Sequence, residues 1–323
     1  TGPGMKIFPA VMPDGRVFYA EMTVAMNAWS VGARADEAVV SEDPRKLTQD
    51  VMQNFNPSIS RDGAKVAFSA FGGAQTARIE VRVKDTRTGA DKTVPVQGIN
   101  VGLLPRLSPD GSLLAYRDFV DGRARTYVIA PGASVRRELC EGCTVFGFFP
   151  DNDHALVRSK PGELETMDLQ TKERTVVLSA GPDVIEDASL SPDGKWIAWL
   201  AGRPDGQAAI RISPVHGPQA DTPNTITVAE AGYYLGSPAW SPNGRWLYYL
   251  SEKDGDCSLF VRELDPRTKE PAGDERKIPI GSERTINLNF PKGNGAIGVA
   301  ADRIVFEATV MIGNIYLARP KKR

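Results

Sequence analysis

Two histidines and three cysteines are the residues of this chain best suited to nucleophilic, acid–base or metal chemistry. Cys140-Glu-Gly-Cys143 has the spacing of half a zinc knuckle. A structural zinc takes four ligands, and no second Cys-x-x-Cys follows, so only Cys257, His154 and His216 remain to complete a set. The pair can therefore be read as a weak metal site, a local disulfide or two free thiols in a loop between repeats. His154 follows the turn Asp151-Asn152-Asp153, and His216 sits in Pro214-Val-His-Gly-Pro218. Either could act as a general base, but nothing in the sequence positions a nucleophile beside it, and solvated loop polarity is the plainer reading. A Gly-x-Ser-x-Gly elbow is absent. Asp254-Gly-Asp256 resembles part of a calcium loop, yet the nearby Lys253 and Arg262 suit a polar hairpin tip better. No catalytic residue, resident metal or cofactor is expected.

The polar residues of most interest owe their positions to an internal repeat. Asn56-Pro-Ser-Ile-Ser-Arg-Asp-Gly63, Leu104-Pro-Arg-Leu-Ser-Pro-Asp-Gly111, Asp187-Ala-Ser-Leu-Ser-Pro-Asp-Gly194 and Ser237-Pro-Ala-Trp-Ser-Pro-Asn-Gly244 each precede a short apolar run. Weaker copies stand at Met12-Pro-Asp-Gly15, Phe149-Pro-Asp-Asn152 and Ala300-Ala-Asp302. The seven Asp or Asn markers fall at 14, 62, 110, 151, 193, 243 and 302. Proline presets φ, Asp or Asn bonds its own backbone, and glycine takes positive φ, so each copy is a tight turn between two strands. Further strand signals follow in each unit, such as Ile79-Glu-Val-Arg-Val83 and Lys92-Thr-Val-Pro-Val96 around Asp85-Thr-Arg-Thr-Gly89. Four short antiparallel strands every 40–50 residues, with no helical periodicity, predict an all-β propeller of four-stranded blades. Seven blades is the expected count, with six as the fallback. The last unit is one strand short, and is completed by residues before Phe8 or left three-stranded.

Strand alternation then places side chains. Three residues before each marker stand Val11, Ile59, Leu107, Phe148, Leu190, Trp240 and Val299, all apolar and expected between blades. Four residues before stand Ala10, Ser58, Arg106, Gly147, Ser189, Ala239 and Gly298. Six of these seven are small, as crowding around an axis requires, and Arg106 breaks the pattern by sending a cation into the channel. Two residues further back, Asn56, Asp187 and Ser237 are expected to rim one mouth. Arg106, Asp187, Asn56 and Ser237, with the exposed-looking Tyr233 or Tyr234 above them, make the candidate ligand site. Arg106 would fork onto a ligand carboxylate or pair internally with Asp187. Trp196, Trp199, Trp240, Trp246, Tyr248 and Tyr249 read as core fillers.

The repeated Ser-Pro-Asp-Gly module resembles the TolB-like, WD40-like bacterial propeller repeats over almost the whole chain. Asn27-Ala-Trp-Ser-Val31, Cys140-Glu-Gly-Cys143, Leu264-Asp-Pro-Arg-Thr-Lys269 and Gly313-Asn-Ile-Tyr-Leu-Ala318 are similar to phrases in the propeller that follows certain bacterial serine/threonine kinases; related propellers follow winged-helix regulators. That resemblance implies a sensing or protein-interaction domain on the outer side of the membrane, although a cytoplasmic location would also be compatible. The chain itself carries no kinase motif. The alternatives are a TolB-like periplasmic accessory protein and, third, a hydrolase or lyase using channel-mouth residues.

Bulk composition agrees with a binding domain. Lys plus Arg total 39 against 40 Asp plus Glu, so no long-range field favours nucleic acid or an anionic membrane. No stretch approaches the roughly 18–20 apolar residues of a membrane span. Residues 1–4 read as a tag remnant or the cut edge of a longer protein, and 5–323 as one propeller domain, a monomer in isolation. Its partner is expected at the channel mouth, as an unknown protein or small ligand.

Overall fold

The computed structural model describes residues 5–14, 16–48, 53–72, 79–94, 96, 103–215, 225–280, 286–288 and 297–318. Among them, the only helical segment is the 3-10 turn Ala35–Glu37. Five four-stranded antiparallel sheets follow one another within residues 53–94, 106–141, 144–179, 184–231 and 235–278, each with its strands in chain order. We number them blades one to five. The sixth sheet is assembled from both halves of the chain. Its short inner strand Ile297–Val299 pairs with Arg303–Ala318, which pairs with Val17–Arg34, which in turn carries Arg45–Lys46.

The inner strands of blades one to five are Gln53–Ile59, Arg106–Leu107, Thr144–Phe148, Val184–Leu190 and Leu235–Trp240. Each touches the next, and Ile297–Val299 touches both the fifth and the first, so the ring is closed. Among the described residues the seven turn markers fall in six sheets, the fallback count. The first marker, Asp14, lies in the hairpin between Met5–Val11 and Val17–Arg34, on the outer reach of the same sheet that holds the last marker, Asp302. Val11 is accordingly 73% exposed rather than packed between blades. The missing strand of the last blade is also supplied differently from expectation: it comes from within 17–34, while Met5–Val11 pairs only with the outer part of that strand.

The marker turns are built alike. In blades one, two, four and five the serine hydroxyl donates to the Asp or Asn Oδ1: Ser60 to Asp62 at 2.7 Å, Ser108 to Asp110 at 2.7 Å, Ser191 to Asp193 at 2.5 Å and Ser241 to Asn243 at 2.8 Å. That Oδ1 accepts the N–H two residues on, and the serine oxygen accepts the N–H five residues on. The closing glycines have φ of +67° to +71°, which an L side chain adopts only with strain. Partial burial acts to raise the carboxyls of Asp62, Asp110 and Asp193, but their hydrogen bonds hold them below the usual range.

The apolar faces meet between blades. Six clusters of buried side chains each bridge two neighbouring blades: Val81 with Leu107 and Tyr116, Val128 with Val157, Leu156 with Trp199, Ile210 with Tyr249, Tyr248 with Phe306, and Phe68 with Val305. Burying one such large side chain stabilises by roughly 1.5–3 kcal/mol. Trp199, Tyr248 and Tyr249 are fully buried, as expected of core fillers. Gly298 marks a close approach between blades. A Cβ there would stand 2.8 Å from Ile59 Cγ2 and 3.2 Å from the Ile59 backbone nitrogen, so blade six meets blade one at a glycine.

Candidate channel-mouth site

Each complete inner strand carries a bulge just before the channel. Register shifts fall between Phe55 and Ser58, Val145 and Gly147, Ile185 and Asp187, and Gly236 and Ala239. Asn56, Leu104 and Ser237 take positive φ of 54°, 42° and 50°. An extra residue re-aims the side chains that follow it. Beyond the bulge, the expected alternation holds: Ser58, Arg106, Gly147, Ser189 and Ala239 line an axial cavity of ≈180 Å3 together with their apolar neighbours Leu107, Phe148 and Trp240. A second cavity of ≈120 Å3 abuts it and adds Asp187, Ser237, Pro238, Ile297 and Gly298. Arg106 and Ser58 line both.

Arg106 reaches from blade two past Gly147 of blade three toward blade four. Its Nη1 donates to the Pro105 carbonyl at 3.1 Å, and Nη2 stands 3.9 Å from Asp187 Oδ1. Asp187 Oδ1 also accepts the Ala188 N–H at 2.9 Å. Both side chains are buried, and burial moves both toward neutrality. It lowers Arg106 and raises Asp187 more than their mutual attraction opposes the change. The internal pairing anticipated for Arg106 is therefore present, at the outer limit of an ion pair. Ser189 Oγ and Ser237 Oγ are buried at the cavities without a hydrogen-bond partner.

The other expected rim residues fall differently. The Asn56 backbone N–H donates to Glu307 Oε2 at 3.1 Å, and the lining residues of its strand are Pro57, Ser58 and Ile59. Asn56 lines neither cavity, although Ser237, at the equivalent bulge position with the same sign of φ, does. Tyr233 is 40% exposed in the loop entering blade five. Tyr234 is not its exposed twin: it packs against the cluster between blades five and six, and burial pushes its hydroxyl up, reinforced by the charges of Cys257, Asp187 and Glu307. Cys140 and Cys143 are disulfide-bonded. A disulfide sulfur is no thiolate, which removes the pair as metal ligands. His154 lies at a turn edge, with Nδ1 2.8 Å from Asp151 and Nε2 3.8 Å from Asp168. His216 lies outside the described residues.

The mouth beside the marker turns is crossed by a side chain. Arg61 of blade one donates from Nη2 to the Pro192 carbonyl of blade four at 2.8 Å, and those blades face each other across a six-membered ring. The opposite mouth, where the inner strands begin, has no such strap among the described residues.

This geometry coincides with a family assignment, since residues 39–271 match the TolB β-propeller domain. The chain belongs to the TolB β-propeller family. The TolB-type propeller is 27% identical over 210 residues to the uncharacterized peptidase YuxL of Bacillus subtilis, covering 62% of this chain but 30% of that protein. Solved structures share the fold, two of them of TolB proteins. The putative TolB from Agrobacterium tumefaciens superposes with a TM-score of 0.64 at 17% identity, over 88% of this chain and 99% of that one. TolB from Acinetobacter baumannii gives 0.58 at 16% identity, over 78% and 65%.

In this TolB-type ring, three charged residues stand on second strands, outside the inner-strand pattern. The residues following Phe68, Tyr116, Val157, Trp199, Tyr249 and Phe306 are Ser69, Arg117, Arg158, Leu200, Leu250 and Glu307, which the strand registers make equivalent. Two cations and an acid at a position buried elsewhere in the ring are a signal the sequence does contain. Glu307 is 9% exposed, and burial raises its carboxyl to about 7 against the Asn56 hydrogen bond that lowers it. The folded state therefore holds this proton through the window from about pH 4.5 to 7 in which the unfolded chain has released it. Stability should fall as pH rises through that window. Glu307→Gln should flatten this slope and stabilise the protein by up to about 3 kcal/mol at pH 8. Urea unfolding at pH 5, 6, 7 and 8 measures it; an unchanged slope in the variant would refute the assignment.

Proposed function

We propose that this propeller is a non-catalytic binding module whose partner enters the axial channel from the mouth opposite the marker turns. It would serve as the sensor domain of a larger signalling protein such as a membrane-anchored serine/threonine kinase. The observation that carries the reading is the channel itself: buried hydroxyls of Ser189 and Ser237 without partners, beside an Arg106–Asp187 pair held only at 3.9 Å. Buried polar atoms left unmet favour a ligand that meets them. The Cys140–Cys143 disulfide supports an extracytoplasmic setting. The TolB family match equally supports the second reading, a periplasmic accessory protein of an envelope complex.

A photoreactive amino acid tests the binding role in cells of the source organism. Placed at Tyr233, on the loop entering blade five at that mouth, it should give a discrete adduct. Placed at Val135, which is 84% exposed and away from the channel lining, it should not. A Cβ at Gly147 meets nothing within 4 Å, so Gly147→Phe can fill the channel without a backbone clash and should abolish the Tyr233 adduct. Identical adducts from both positions, or an adduct indifferent to Gly147→Phe, would overturn the reading.

A further inference from the structure

Arg117 and Arg158 are half-buried cations with no carboxylate within ion-pair distance among the described residues. They occupy equivalent positions on the second strands of blades two and three. Arg117 stacks over Phe119, its Nε is buried without a hydrogen-bond partner, and burial lowers its guanidinium with no opposing charge. Arg158 donates from Nη1 to the Ile185 carbonyl and lies over the Phe146 ring, which itself lines both axial cavities. Burial lowers Arg158 as well; Asp187 and, more weakly, Glu186 act on it favourably, and the positive charge of Arg117 acts against it. The two cations therefore feel each other, and Arg158 shares the environment of Asp187 with Arg106.

Their strand positions fix the mouth they face. Arg158 pairs across to Thr144, the first residue of its inner strand, and the Arg117 N–H donates to the Leu103 carbonyl, just before its own inner strand. Both thus stand at the mouth opposite the Arg61 strap. The guanidinium groups of Arg106 and Arg158 both act on the buried Asp187 carboxylate, and Arg106 stands 3.9 Å from it. Ser69 Oγ, at the equivalent position of blade one, and Ser237 Oγ, in the cavity wall, are buried and without partners.

Uncompensated cations in a partly dry mouth are costly to the unliganded fold. Planar guanidinium forks match the two oxygens of a carboxylate. We propose that Arg117 and Arg158 are a carboxylate-recognition pair that receives the acidic end of an extended ligand entering the channel. That end is supplied either by a small dicarboxylic acid or by the C-terminus of a peptide. The negative charge of Asp187 inside the same site disfavours a compact dianion such as phosphate, and the hydroxyls of Ser189 and Ser237 serve the uncharged part of the ligand. This specifies the ligand class of the channel-mouth reading and rests on it.

Titration calorimetry on the full chain at low salt tests the pair with glutarate, a pentapeptide pool bearing free C-termini, the same pool amidated, and inorganic phosphate. Glutarate or the free-acid pool should bind, the amidated pool should bind at least tenfold more weakly, and added salt should weaken the interaction. Arg117→Gln and Arg158→Gln should each reduce affinity at least tenfold, and their melting temperatures should equal or exceed the wild-type value, because each removes an unpaired buried cation. Glutarate binding without the free-acid peptides identifies a small acid; the reverse identifies a chain end. Absence of binding by either carboxylate probe, tighter binding of phosphate than of both, or unchanged affinity in both variants would overturn the proposal. If the Tyr233 adduct survives in Arg117→Gln and Arg158→Gln while disappearing in Gly147→Phe, the carboxylate assignment fails and the channel reading stands.

Discussion

Asp187→Ala should lower the unfolding free energy by about 3 kcal/mol, the lower end of what removing one partner of a buried ion pair costs. The loss follows from what remains rather than from the bond removed. Arg106 would keep its charge in the channel wall with only the Pro105 carbonyl, 3.1 Å from Nη1, as a fixed acceptor. The pair is long at 3.9 Å, and the side chains are 13% and 9% exposed, so water entering the cavity can recover part of the hydration, which keeps the loss at the low end. The reciprocal change should be milder. Arg106→Met leaves Asp187 buried with its carboxyl already raised by its surroundings, and protonation at mildly acidic pH can neutralise it. The double variant Arg106→Met/Asp187→Leu should be at least as stable as the wild type, because it removes both desolvation costs and fills the channel wall with apolar atoms. A double-mutant cycle by urea unfolding measures all three. A loss below about 1 kcal/mol in Asp187→Ala would show that water compensates Arg106 and that the pair has little structural weight. The double variant should also show no Tyr233 adduct, which separates the ligand role from the structural one.

What was legible in the sequence follows the range of the interactions involved. The marker turns could be read because Ser60, Asp62 and Gly63 close their network within six residues of chain. The channel lining could be read as far as strand alternation runs, which correctly placed Ser58, Arg106, Gly147, Ser189 and Ala239. It did not hold for Asn56, which shares its bulge and positive φ with Ser237 but, unlike Ser237, lines neither cavity. Tyr234 looked exposed because Gly232 and Gly236 flank its loop, whereas its ring enters the cluster between two blades. The second-strand cations Arg117 and Arg158 needed only the same tabulation extended by one strand. The pairing that closes the ring had no local signature, since Gly32 meets Arg303 across most of the chain.

That closure predicts the largest effect of all. A chain starting at residue 39 should fail to unfold as one cooperative unit, while a chain starting at residue 17 should melt close to the full length. The difference lies in where Val17–Arg34 is buried. Its inner part holds Ala28, Trp29, Val31 and Ala33 in the cluster between blades five and six or beside it. Just beyond it, the carbonyls of Ala35 and Asp36 accept the Tyr248 hydroxyl at 2.7 Å and Trp246 Nε1 at 3.0 Å. Losing Trp29 alone should cost about 3–5 kcal/mol, as for other buried large-to-alanine changes. Removal of the whole strand also exposes the pairing edge of Arg303–Ala318 and leaves two buried aromatic polar groups without acceptors. Together these losses exceed the 5–15 kcal/mol by which a domain is ordinarily stable. Removing residues 5–16 deletes only the hairpin partner on the outer reach, where Val11 is already in solvent. Circular dichroism melts and calorimetry of both shortened chains measure the contrast. A peptide spanning residues 17–38, added in trans to the chain that starts at 39, should restore a cooperative transition if ring closure is what was lost. Cooperative melting of the shortened chain without that peptide would mean that blades one to five close on Ile297–Val299 and Arg303–Ala318 unaided.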